Sequence, residues 1–138
     1  MQPESPRDFL RVAQQRLEAA ELIFRLTPLN LEAQYIGGYA IECSFKALIL
    51  ENTPIMQRID MLHRITRGAA NHRADVLVGK LRELGVSLTS DLAVRVRRFQ
   101  DQWDSSLRYE TGRRDTGETR GLLRTARTIH QWAEGQIP

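Results

Sequence analysis

The sequence predicts an all-α protein: an up-and-down antiparallel bundle of four main helices plus one or two short helices, forming a single domain over residues 1–138. Apolar residues recur at three- and four-residue steps along most of the chain, and no stretch alternates apolar and polar as a half-buried strand would. Gly, Pro and Asn punctuate the periodic segments so that only short connections are left between them. At 138 residues, 41% of them hydrophobic, the chain is long enough to bury its own core. No staple is needed. The single Cys43 cannot form an internal disulfide, and its apolar flanks read as a small core residue in a reducing compartment rather than a reactive thiol.

Ser5 caps a first helix entered through Pro6, with Asp8 in the first turn, where the helix dipole favours an acid. Leu10, Ala13, Leu17, Ala20 and Phe24 form its apolar face, and Thr27-Pro28 stops it. Asn30 is read as the cap of a second helix. Between Tyr35 and Leu50 the only charged residues are Glu42 and Lys46, four apart with the acid first, as in an exposed or groove-lining pair. A helix apolar nearly all round belongs at the centre of a bundle. Gly37-Gly38 inside it costs roughly 1 kcal/mol of propensity per glycine, an outlay that close approach of a neighbouring helix would justify, or else room for a ligand.

Asn52-Thr53-Pro54 is a stop. Ile55, Ile59, Leu62 and Ile65 suggest a short helix ending near Gly68, and Val76, Leu77, Leu81 and Leu84 another ending at Gly85. Thr89 or Ser90 opens a helix with the stripe Leu92, Val96, Phe99, Trp103, while Asp115 and Glu118 have capping-box spacing for a last helix carrying Leu122, Ala126, Ile129 and Ala133. Residues 105–117 lie between these two as a long non-periodic loop. Loops of that length carry function more often than short ones.

Charge is unevenly placed. Eighteen of the twenty basic residues are Arg, suited to phosphate and carboxylate, although a GC-rich genome would favour the same codons. Residues 1–51 carry five basic and seven acidic side chains, whereas residues 91–130 carry nine Arg and six acids, which makes the second half the polyanion-facing side. No stretch approaches the ~20 apolar residues of a membrane span, and the start of the chain lacks a secretory pattern. A cytoplasmic protein is expected. No glycine-rich phosphate loop, His-Glu-x-x-His helix, Cys-x-x-Cys or Gly-x-Ser-x-Gly elbow occurs, so neither cofactor nor metal is implied.

The segment from Tyr35 through Gly37-Gly38-Tyr39 to Glu42, Lys46 and Ala47-Leu48 resembles the second helix of HEPN domains, the helical modules named for higher eukaryotes and prokaryotes nucleotide-binding. Asn71-His72-Arg73-Ala74-Asp75-Val76-Leu77 is similar to the His-containing start of a short helix in bacterial stand-alone members. Trp103 through Leu107-Arg108-Tyr109 is similar to their Trp-then-Arg-Tyr signature. In order and spacing the three pieces span about residues 10–134. The resemblance implies a bundle that commonly forms a homodimer with a groove near the seam. Some members are metal-independent ribonucleases, frequently toxins neutralised by a partner nucleotidyltransferase; others are binding or partner modules. Fold alone does not choose between them.

The ribonuclease members present an Arg followed after four to six residues by His, the Arg to stabilise phosphorane-like charge and the His to move a proton on a ribose oxygen. Three spacings here qualify: Arg67 with His72, Arg124 with His130, and Arg58 with His63. None has the family context of a pair opening the last long helix, and His72 also reads as a helix-start or packing residue. A second candidate set is Arg108, Tyr109, Arg113 and Arg114 in the long loop, offering phosphate donors and a ring for a base to stack on, with Tyr39, Glu42 and Lys46 as the facing wall. The plainer reading pairs Arg108 with Glu42 or Glu110 and packs Tyr109 on Trp103. The leading expectation is a HEPN-like nucleotide- or RNA-binding and partner-binding module, working with a nucleotidyltransferase. The alternatives are a metal-independent endoribonuclease of toxin-antitoxin type, or a pure assembly module that binds a partner but no nucleotide.

Overall fold

A computed structural model describes residues 2–138. It is 79% helical with no strand among the described residues, which makes the chain all-α. Four longer helices, α1 (Pro6–Leu26), α2 (Asn30–Glu51), α5 (Ser90–Gln102) and α6 (Thr116–Gln136), are accompanied by the short α3 (Arg58–Thr66) and α4 (Ala74–Glu83). Single 3-10 turns cover Ile55–Gln57, Ala69–His72 and Ser105–Tyr109.

The helix ends follow local chemistry. Ser5 accepts from the Asp8 N–H at 3.1 Å while Asp8 reaches back to the Ser5 N–H at 3.2 Å, closing a capping box at α1. Thr89 caps α5 through the Leu92 N–H, and Asp115 caps α6 through the Glu118 N–H at 2.8 Å. Gly85, at φ 84°, ends α4: its own N–H reaches Arg82 O and the Val86 N–H reaches Leu81 O, so a left-handed residue satisfies two orphan carbonyls.

Asn30 departs from expectation. It is the first residue of α2 rather than its cap, and its amide donates instead to Arg114 O at 3.0 Å and Thr116 Oγ1 at 3.2 Å. That ties the start of α2 to the start of α6. The contact needs residues over eighty positions apart, which no local pattern encodes.

Helix α2 is the spine. Residues 41–50 are buried without a break, which a helix permits only when neighbours cover every side. Those neighbours are α1, α6, α4, α3 and the 105–109 turn. Moving along the chain, Asn30 meets Thr116, Gln34 donates to Thr119 at 2.9 Å, and Gly37 faces Leu123, so α2 and α6 run parallel. Arg7 donates to Ile137 O at 3.2 Å and Arg127 to Glu21 at 2.9 Å, so α1 runs antiparallel to α6. α1 therefore points opposite to both α2 and α6. No helix among the described residues is long and apolar enough to cross a membrane.

Candidate functional site

The two glycines of α2 are where other elements come closest. A Cβ on Gly37 would sit 2.7 Å from Leu123 Cδ2 of α6, and one on Gly38 would sit 2.1 Å from Trp103 Cε2 and Nε1. Close approach, not ligand space, accounts for both. Trp103 ends α5 and lays its indole on α2, where Nε1 donates to Tyr35 O at 3.2 Å and the ring stacks on Phe99 at 5.4 Å.

One turn along α2, the Tyr39 ring meets Tyr35 and Trp103 edge-on, each at 5.2 Å, and His72 at 6.2 Å. Burial, reinforced by the Tyr35 hydroxyl at 3.4 Å, raises the Tyr39 phenol well above its ordinary value. Tyr39 therefore stays protonated. A further turn along, Glu42 Oε2 accepts from Lys46 Nζ at 2.9 Å, and Glu42 Oε1 lies 2.9 Å from His72 Nδ1. The Glu42 and Lys46 side chains are only 7% and 6% exposed, so this pair belongs to the interior and lines no open groove.

His72 is the half-exposed end of that chain. It sits in the 69–72 turn, where the Asn71 amide donates to Arg64 O at 2.7 Å and to Arg67 O. Facing a carboxylate, Nδ1 is the donor, which in a neutral ring leaves Nε2 as an acceptor. The imidazole borders a cavity of about 200 Å³ whose other walls include Arg73, Phe99, Gln100, Trp103 and Ser105. Arg73 is held away by a two-bond pair with Asp75, at 2.9 and 3.1 Å.

None of the candidate Arg–His pairs is joined by a hydrogen bond among the described residues. Arg58 donates to Glu51 O and Thr53 O, both at 3.1 Å, closing the end of α2, while His63 is exposed on α3. Arg67 is exposed at the end of α3. Arg124 and His130, six residues apart on α6, occupy different faces: Arg124 is exposed, and His130 is buried with Nε2 unpartnered.

The loop set divides into two places. Arg108 lies over the Tyr109 ring at 4.9 Å, and Tyr109 is 77% exposed, so it does not pack on Trp103. Arg114 pairs with Glu110 at 3.0 Å. Arg113 and Arg114 border a groove of about 470 Å³ with Phe24, Arg25 and Arg120. An adjoining groove of about 440 Å³ shares Phe24, Arg25 and Arg120 and adds Arg124 and Arg127. Arg25 escapes a reading of the sequence as a lone basic residue at the end of α1, and Arg120 because its row with Arg124 and Arg127 on α6 resembles an ordinary solvated face. Only the α1–α6 packing joins them.

No protein-family model, curated protein or solved structure matches this chain.

Proposed function

We propose that this chain is a HEPN-like module that binds a nucleotide or RNA together with a protein partner, a nucleotidyltransferase being the partner class the resemblance implies. The observation carrying this reading is the meeting of the three resembling segments. Tyr35–Leu50, Asn71–Leu77 and Trp103–Tyr109 are remote in sequence, yet Trp103 binds Tyr35 and packs on Gly38, His72 binds Glu42, and Tyr39 touches both rings. Side chains that depend on one another in this way support treating the three pieces as one motif.

Binding is preferred to catalysis because Arg58 is spent on carbonyls, Arg124 and His130 face different ways, and Arg67 makes no hydrogen bond to His72 among the described residues. One observation favours the second reading, an endoribonuclease: Glu42 Oε1 lies 2.9 Å from His72 Nδ1, and a neutral ring donating there would leave Nε2 as the acceptor a general base needs. Titration of the purified protein with ATP and with a short oligoribonucleotide tests the leading reading. It expects saturable binding of at least one of them; saturable binding of neither contradicts it and leaves an assembly module.

A further inference from the structure

We propose that the continuous groove between the C-terminal half of α1 and the N-terminal half of α6 holds the phosphate chain of single-stranded RNA, with Arg25, Arg113, Arg120 and Arg124 as the phosphate donors. This rests on the nucleic-acid reading above and gives it a place, on a different part of the surface from the His72 cavity. The two grooves that make up this channel share Phe24, Arg25 and Arg120, so they form one trough.

What sets this trough apart is that it gathers four arginines without a carboxylate partner among the described residues, while Glu21, the carboxylate that lines it, is taken up by Arg127, and Arg114 is paired with Glu110. Unpaired guanidinium groups gathered along one trough repel each other and are stabilised by an anion with regularly spaced charges. The Arg120 guanidinium lies 5.7 Å from the Phe24 ring, a contact that favours keeping the fork over the trough. Phe24 and Leu123 give the trough an apolar floor against which sugars or bases can rest. A basic trough with an aromatic ring in it suits a single strand, whose unstacked bases can rest on Phe24 while the backbone follows the arginines.

Fluorescence anisotropy with a labelled oligouridylate tests this, run beside a blunt RNA duplex and inorganic polyphosphate as competitors. Four neutralised phosphates predict a slope of log affinity against log salt of roughly −2.8. The double variant Arg25→Glu/Arg120→Glu should lose roughly tenfold or more in affinity and flatten that slope toward roughly −1.4, with unchanged circular dichroism and melting temperature. Arg64→Glu, on α3, should bind as the parent does. If the parent binds the oligouridylate and the double variant binds it equally, the trough is not the site, although the nucleic-acid reading survives. If the parent binds none of the probes, both fall. Duplex or polyphosphate binding as tight as that of the single strand would overturn the ligand class.

Discussion

His72 Nδ1 lies 2.9 Å from Glu42 Oε1, while the other oxygen of the same carboxylate holds Lys46, so one buried acid joins the 69–72 turn to the centre of the bundle. Glu42 thus has two partners of different exposure, one interior and one facing a cavity. A buried charge pair is sensitive to loss of either member. Glu42→Leu, which leaves the Lys46 ammonium unpaired in the interior, should cost about 3–5 kcal/mol in denaturant unfolding. Glu42→Leu/Lys46→Met removes both charges and should recover most of that loss. A double variant as unstable as the single one would mean that the pair is not the source of the effect.

The two glycines of α2 should respond differently to alanine. At Gly37 the obstructing atom is the end of the flexible Leu123 side chain at 2.7 Å, and the gain in helix propensity of about 1 kcal/mol offsets much of the crowding. At Gly38 the obstruction is the rigid Trp103 ring at 2.1 Å, already fixed by its bond to Tyr35. Gly38→Ala should cost about 3 kcal/mol and red-shift the tryptophan fluorescence, whereas Gly37→Ala should stay within about 1 kcal/mol of the parent. Equal costs at the two positions would contradict this packing.

Alkaline stability offers another check. Burial, with the neighbouring Glu42 charge as the next cause, pushes the Cys43 thiol up to about 12 from an ordinary value of 9.0. A raised pKa in the folded state means that the unfolded chain releases its proton first. The contribution is therefore complete below about pH 9 and is lost between about 9 and 12, at a slope of up to ~1.4 kcal/mol per pH unit. Tyr39 is raised in the same direction and adds to the alkaline loss. Urea melts from pH 7 to 11 should show this fall, and Cys43→Ala should make it shallower. In native protein at pH 8 the thiol should resist alkylation that proceeds readily in urea.

Much of this architecture is legible in the sequence, because its signals are local. Ser5 with Asp8, Thr89, and Asp115 with Glu118 mark helix starts through bonds spanning three residues. The apolar run around Phe45 marks the spine by its lack of a polar face, and Gly37-Gly38 marks the close contacts. The non-local contacts are hidden. Glu42 and Lys46 have the spacing of a surface pair, and only the packing of other elements around α2, the His72 turn among them, makes them interior. Asn30 resembles a cap by type yet is drawn to α6. The sequence places Arg108, Arg113 and Arg114 in one loop, but the chain turns between them and sends the last two toward Arg25.

Binding without cleavage is the central claim, and a time course of labelled single-stranded RNA with purified protein in EDTA tests it most directly. The parent, His72→Ala and Arg124→Ala/His130→Ala should all leave the RNA intact, while the parent retards it on a native gel. Fragments that accumulate with the parent in EDTA and disappear with His72→Ala would contradict the account and make the Glu42–His72 pair the centre of a ribonuclease.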